Sequence, residues 1–390
     1  MRVVIFEQAS QTLEKRFGFR TIEYGLRNVF ERVPSSPLLA GLSEANLHDW
    51  RGTATLTTPR IDFPAPKWEV WAGAPAVEWA GLIVPQAWRV GNRGNVSSVL
   101  IEKPACGDFL PILDGGYSLQ YSPLMVYREG KGRVLFCEMD VTGRSESDPA
   151  AAQLAGNVLA YAQTYQPGPE RTALYAGDDA GMKHLQASGL VVKPYEGGKL
   201  SPDQVLVIGP GGGQKAAASA AEIAGWLKAG GNLLAIGLDE QEANAFLPTK
   251  VSMKSAEYIS ACFAPSDLDA LTVGVGPADV HNRDVRQVPL VTGGAHPIGD
   301  GVLARGEGDN VVLCQLAPWT FDTSINSFKR TFRCTSRAVS RLLANMGCEE
   351  TTPLLARFST PVGLKETRYL DGLHLDKPEV WDDPYRYFGW

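Results

Sequence analysis

Apolar and polar positions fall in regular blocks through residues 172–250. Thr172–Ala176 is a short apolar run, Asp178–Ala187 has helical spacing behind an acidic N-cap, and Gln204–Ile208 is a second apolar run. Pro210-Gly211-Gly212-Gly213 then leads into an alanine-rich helix predicted over Lys215–Ala229, which Gly230-Gly231 stops before a third apolar run, Asn232–Ile236. Strand and helix alternating across short loops predict a mostly parallel sheet with helices on both faces.

The pattern recurs near the start of the chain. Arg2 to Gln11 aligns with Asn232 to Gln241, which puts Glu7 and Gly237 at the same point of a strand-to-helix turn. Ala45-Asn46-Leu47-His48-Asp49 aligns with Ala278-Asp279-Val280-His281-Asn282, and Val134–Cys137 with Val311–Cys314. Helices are predicted after each of the last two strands, over Ala150–Tyr165 and Phe332–Met346. The copies are unequal: the first has no counterpart of Thr172–Gly231, and its stretch from His48 to Cys137 is about 56 residues longer than that from His281 to Cys314. A parallel sheet lacking its leading strands exposes an edge, so cover is expected from a preceding part of a longer protein or from a partner chain.

The chain has 390 residues, 44% of them hydrophobic, enough for two sizeable cores. Lys plus Arg number 37 against 43 Asp plus Glu, a net charge of −6 with no basic tract, which argues against nucleic acid as a partner. No apolar run approaches the roughly 18 residues of a membrane span, and charges interrupt Met1–Arg16 too early for a signal peptide. The chain as written reads as cytoplasmic, which leaves export of a longer parent open. The six cysteines form no Cys-x-x-Cys pair and no short spacing to histidine, so no metal site is expected; Cys137 and Cys314, inside apolar strands, read as core. Gly209-Pro210-Gly211-Gly212-Gly213 lacks the Lys-Ser/Thr of a phosphate loop and the spacing of a dinucleotide fingerprint, so it reads as a structural turn and no cofactor is expected.

The order strand, Gly-rich turn, helix, strand, sharp turn, helix resembles the core of class I glutamine amidotransferases and their relatives, including the trehalose-utilisation type and the β-galactosidase trimerisation domain. In those enzymes a cysteine occupies the sharp turn. The resemblance therefore implies degenerate elbows at Gly237 and Glu7, neither able to form an acyl-enzyme. The fold class it implies is α/β: two tandem flavodoxin-like, amidotransferase-like three-layer domains with mostly parallel sheets. They are expected over residues 1–168 and 169–350, the first incomplete at its N-terminus and carrying a Trp-rich insertion at about 52–116. An aromatic tail over 351–390 is expected to dock on the body.

Gly41 to Gly52, Asp114 to Tyr121 with Gly130 to Phe136, and Trp381-Asp382-Asp383-Pro384-Tyr385 resemble the C-terminal region of large bacterial glycoside hydrolases of family 2, the β-galactosidase-like type. That family keeps its acid and nucleophile glutamates on an upstream (β/α)₈ barrel, and no segment here has eight strand-helix units. The resemblance implies a non-catalytic accessory region acting in carbohydrate breakdown. Its partners would be carbohydrate, the catalytic portion of the parent glycosidase, or a second copy in a homo-oligomer. One alternative is a stand-alone trehalose-utilisation-like or amidotransferase-like hydrolase using His48, Asp49 and Arg51, or Asp140 and Arg144. Another is a carbohydrate-binding module. Trp68, Trp71, Trp79 and Trp88 crowd one stretch, and Trp68, Trp71 and Trp88 with Arg93, Asp114 and Tyr121 would supply the stacking faces and hydrogen bonds that sugars need. The same composition also suits a protein interface or a core. His48 and His281, at matching positions, read first as loop-bracing residues.

Overall fold

The computed structural model describes residues 2–53, 68–71, 74–79, 82–85, 93–306, 310–350, 354–363 and 369–370. Strands β1 (Arg2–Phe6), β2 (Thr21–Leu26), β3 (Phe30–Glu31), β4 (Ser97–Glu102), β5 (Phe109–Gly115), β6 (Tyr121–Glu129) and β7 (Gly132–Cys137) build one seven-stranded sheet. Its main path is β1-β7-β6-β5-β3, with β4 pairing to β6 and to β2. Only β1 and β7 run parallel; every other pair is antiparallel. This corrects the mostly parallel sheet expected of the first half. The reason is local: Gly130, at φ 54°, and Lys131 alone join β6 to β7, a link that antiparallel neighbours can make and parallel ones cannot.

Residues 52–116, the range expected for an insertion, contain two strands of this sheet. β4, buried along its whole length, and β5 lie inside 52–116 yet are integral to the sheet. The chain leaves the body at Trp50–Thr53 and returns at Arg93–Gly94, two short segments paired antiparallel. Between them, Trp68–Trp71, Ala74–Trp79 and Leu82–Pro85 form a three-stranded antiparallel sheet of their own.

Helix α1 (Pro149–Thr164) starts behind Asp148, whose carboxylate accepts the Ala150 N–H at 2.9 Å, and covers one face of the first sheet through Ala151, Leu154 and Val158. The other face is covered by Leu13, Phe17 and Phe19 together with Leu354 and Leu370. The Leu370 N–H donates to the Gly18 carbonyl at 2.7 Å, so the tail is anchored at 369–370; its remaining aromatics, from Trp381 to Trp390, lie outside the described residues.

The second sheet comprises β8 (Thr172–Ala176), β9 (Val192–Pro194), β10 (Gln204–Ile208), β11 (Asn232–Ile236), β14 (His296–Ile298), β15 (Leu303–Arg305) and β16 (Val311–Cys314), while β12 (Ser252–Tyr258) and β13 (Arg286–Gly293) pair separately as a hairpin. Its order is β9-β8-β10-β11-β16-β15-β14, parallel as far as β16 and antiparallel beyond. Helices α2 (Asp179–Ala187) and α6 (Asn326–Asn345) contribute to the core on one face, and α4 (Ala220–Lys228) and α5 (Glu240–Phe246) to that on the other. The single helix expected over Lys215–Ala229 is split into α3 (Gly212–Ala217) and α4. Ser219, between them, leaves helical geometry, and its hydroxyl accepts the Gly198 N–H at 3.0 Å. The short helix α7 (Leu354–Ser359) follows.

The aligned segments pair in matching registers. Phe6 pairs with Cys137 across β1 and β7 as Ile236 pairs with Cys314 across β11 and β16. The segments holding His48 and His281 begin with matching 3₁₀ turns, Glu44–Asn46 and Pro277–Asp279. In each, the third side chain accepts the N-cap N–H: Ser43 to Asn46 at 2.9 Å, Gly276 to Asp279 at 2.7 Å.

The two sheets meet through α6. Ala338, Val339, Leu342 and Leu343 pack on the second sheet, while Arg333, Arg337 and Arg341, spaced by four on another face, reach buried carboxylates. Arg333 pairs with Glu102 at 2.7 Å and Arg341 with Asp108 at 2.7 Å, both carboxylates of the first sheet's region, and Arg337 with Asp279 at 2.9 Å. Each of the first two carboxylates takes a second arginine, Arg20 on Glu102 and Arg128 on Asp108. Charges this well desolvated persist only when paired.

Candidate functional site

In a doubly wound sheet, ligands bind beyond the carboxyl ends of the strands, so the turns after β1, β7, β8, β10 and β11 were the places to expect chemistry. At the two sharp turns the backbone is closely similar. The Glu7 N–H donates to the Cys137 carbonyl at 2.9 Å, the Gly237 N–H to the Cys314 carbonyl at 2.8 Å, and both residues have positive φ, 33° and 62°. One turn carries a carboxylate there and the other no side chain at all.

Around Glu7 the first sheet gathers three carboxylates. Glu138, directly after β7, accepts the Gln8 N–H at 2.8 Å; Glu7 accepts the Thr142 N–H; Asp140 accepts the Ser98 hydroxyl at 2.7 Å. Glu138 is 1% exposed and Asp140 wholly buried. Burial first, and then the charges of Glu7 and Asp140, push the Glu138 carboxyl up to about 8 against the pull of the Gln8 N–H. Burial, seconded by Glu7, lifts Asp140 to about 7 although Ser98 and Arg144 oppose it. Glu138 Oε1 and Asp140 Oδ1 are buried and have no hydrogen-bond partner among the described residues, as suits carboxyls that hold a proton near neutrality. Arg144, 1% exposed, donates to the Asn95 carbonyl.

The structure thus joins Asp140 to Arg144 and adds Glu7, Glu138 and Ser98. It sets the other expected residues differently. His48 Nδ1 lies 3.3 Å from Asp49 Oδ2 at an exposed site where Arg27 also pairs with Asp49, and the Arg51 backbone N–H donates to Asp148 at 2.8 Å. The His48 backbone bridges to Asn28, in keeping with a loop-bracing role. The paired segments Trp50–Thr53 and Arg93–Gly94 adjoin the cluster: a Cβ on Gly52 would lie 3.8 Å from Arg144 Cγ, and Asn95 follows Gly94. Side chains of Trp68, Trp71, Trp79 and Arg93, and Trp88 altogether, lie outside the described residues.

Asp114 and Tyr121, expected among sugar contacts, are 0% and 1% exposed. Asp114 pairs with Arg32 at 2.6 Å and Lys103 at 2.5 Å, and Tyr121 packs with Ile22 and Leu100. Both face the interior because β5 and β6 are central strands, which the pattern of polar residues around Gly115-Gly116 did not reveal. Cys137 and Cys314 are buried as expected, and burial pushes the Cys314 thiol up to about 11. His184 is buried against Trp319 and Phe332 and held down at about 4 by burial, so it stays neutral.

The second sheet reverses its winding between β8 and β10, where a crevice is expected. Here the protein fills it from within. The Tyr175 hydroxyl occupies a cradle of three glycines: a Cβ on Gly181, Gly177 or Gly209 would lie 2.0, 2.3 or 2.4 Å from it. It donates to the Asp178 carboxylate at 3.2 Å. Glu242 in turn takes the Gly211 N–H at 2.6 Å, the place at a helix N-terminus that an anion would otherwise take. Gly212 and Gly213 are needed because a Cβ would strike the Ala176 and Glu242 carbonyls at 2.2 and 2.4 Å. The glycine-rich turn is thus held by contacts within the protein.

Fold and sites define an α/β protein with several sheets. No family model matches the chain, and neither does any curated protein. Among solved structures the chain is similar to PurLQS from Thermotoga maritima, over 45% of this chain and 98% of that one, at 14% identity and a TM-score of 0.30, a likeness too slight to carry an argument. Among the described residues no group of three or more His, Cys, Asp or Glu is arranged to hold a metal ion, and no helix is long and apolar enough to cross a membrane.

Proposed function

We propose that the chain is a non-catalytic accessory region of a β-galactosidase-type glycoside hydrolase, made of two tandem amidotransferase-like domains, the first bearing the Trp-rich insertion. The observation that carries the first part of this reading is the pair of matched elbows, Glu7 and Gly237, which keep the backbone of a nucleophile turn without a nucleophile. The filled crevice at Tyr175 and Glu242 supports it, since a domain that binds no substrate there is free to close the site. The link to glycoside hydrolases rests on the sequence resemblance. In this role the chain braces a catalytic barrel or a second copy, and Trp68, Trp71 and Trp88 offer sugar a stacking surface.

The test is the purified chain assayed with aryl glycosides and with glutamine, beside glycan binding by calorimetry. No turnover is expected with either substrate, and replacing Trp68, Trp71 and Trp88 together with alanine is expected to abolish any glycan binding. Turnover that disappears in Glu138→Gln would overturn the reading. It would favour instead a hydrolase working at the carboxylate cluster, a second reading that the raised Glu138 and Asp140 carboxyls support.

A further inference from the structure

Between the two sheets lies a cavity of about 180 Å³ for which the accessory role supplies no use. Asp108, Arg128 and Arg133 line it from the first sheet, Gly168 and Pro169 from the segment connecting the sheets, and Arg341 from the last turns of α6. Three guanidinium groups therefore face one carboxylate. Asp108 is fully engaged, taking Arg128 Nε at 2.8 Å and Arg341 Nη1 at 2.7 Å. Arg128 directs its other nitrogens to the Pro169 and Cys348 carbonyls at 3.0 and 3.2 Å.

Arg133 is different. It donates to the Tyr161 hydroxyl and stacks on the Tyr165 ring at 4.0 Å, but no carboxylate pairs with it among the described residues, and its Nε is buried with no hydrogen-bond partner there. Glu350 feels the charges of Arg341 and Arg128, while burial and the repulsion of Asp108 hold its carboxyl well above the usual range. The carbonyls ending α6 supply part of a negative charge, shared among Arg128 and Arg171. Arginine does not shed its proton, so burial cannot neutralise these groups. Three guanidinium groups against the one lining carboxylate leave an excess of positive charge around a space too small for a drug-sized ligand, which needs roughly 300 Å³ or more.

We propose that this cavity binds a tetrahedral dianion of the phosphate type, with Arg133 as its principal ligand and Arg128 and Arg341 supplying field. Guanidinium groups suit such an anion because their planar N–H pairs match two oxygens at once. The anion would come as free phosphate or as the phosphoryl end of a small metabolite. Bound at the joint, it ties the connecting segment to both sheets. The inference stands apart from the proposed function and survives its failure.

The test uses the full chain. Inorganic phosphate is titrated by calorimetry and by thermal unfolding, with sodium chloride at equal ionic strength as reference. Saturable binding and a rise in Tm above the chloride reference are expected, with affinity at least about tenfold weaker in Arg133→Met. Equal behaviour in phosphate and chloride, or an affinity in the variant within twofold of wild type, overturns the proposal. Should Arg133→Met not fold, phenylglyoxal labelling of the wild type mapped by mass spectrometry decides the matter: phosphate is expected to protect Arg133, and unchanged labelling overturns the site. Glycerol 3-phosphate that displaces inorganic phosphate with higher affinity supports the site and makes a phosphorylated metabolite its ligand. Weaker competition supports the site as one for the free ion.

Discussion

The Glu242 carboxylate receives the Gly211 N–H at 2.6 Å, so the N-cap N–H of the helix after the glycine-rich turn is satisfied by the protein itself. Burial raises the Glu242 carboxyl while that N–H pulls it down. Glu242→Ala is expected to lower stability by about 1 kcal/mol, because water replaces this exposed contact on loss. The urea midpoint measures it, and an unchanged midpoint would show that the contact does not hold the turn.

The glycine cradle around Tyr175 makes a sharper prediction. A Cβ on Gly181 would lie 2.0 Å from the Tyr175 hydroxyl and 2.8 Å from the Trp319 ring. Gly181→Ala should destabilise by about 1–3 kcal/mol through overpacking. Tyr175→Phe should recover part of that loss in the double variant, leaving the clash with Trp319. Additive effects of the two substitutions in a double-mutant cycle would contradict the packing described.

Asp114 tests the buried charges. It is the common partner of Arg32 and Lys103, and burial already pulls the Lys103 ammonium down against the attraction of Asp114. Asp114→Ala leaves two buried cations with only the more distant pull of Asp279, which Arg337 already engages, and is expected to cost about 3–5 kcal/mol, or to prevent folding. A loss under about 1 kcal/mol, typical of exposed pairs, would mean that water reaches the seam.

The carboxylate cluster predicts a pH dependence of defined sign. Glu138 titrates near 8 in the folded chain against an ordinary 4.5. Between these values the unfolded chain has released the proton that the folded chain keeps, so this group's contribution to stability falls as pH rises from about 4.5 to about 8 and is level above. Glu138→Gln retains an acceptor for the Gln8 N–H and removes that slope. Its unfolding free energy in urea should exceed the wild type's at pH 9, by up to roughly 5 kcal/mol, and the difference should shrink towards pH 5. A difference independent of pH would place the proton elsewhere.

Glu7 is coupled to the same group. Glu7→Gln removes a negative charge that raises both Glu138 and Asp140. Both carboxyls should then titrate at lower pH, which carbon-13 NMR of the side-chain carboxyls would follow. No movement in either would separate Glu7 from the cluster.

Much of this protein was legible in the chain itself. Strands β8, β10, β11 and β16 stand where apolar runs predict them, because a strand buried on both faces must be apolar throughout. The matched turns at Glu7 and Gly237, and the registers Phe6 to Cys137 and Ile236 to Cys314, follow from an alignment of two stretches of sequence. Arg333, Arg337 and Arg341 likewise share a helix face by spacing alone. What the chain could not disclose is which distant residues meet. The direction of β6 against β7 depended on a two-residue turn, and the place of β4 on pairing with both β2 and β6. Glu138 looked like any polar residue ending a strand, until burial beside Glu7 and Asp140 gave its carboxyl a proton. Asp114 looked like a surface acid beside two glycines, until Arg32 and Lys103 closed over it. Periodicity reports which face of an element is buried; charge and proton affinity depend on what is buried with it, and that is decided only when the sheets close on α6.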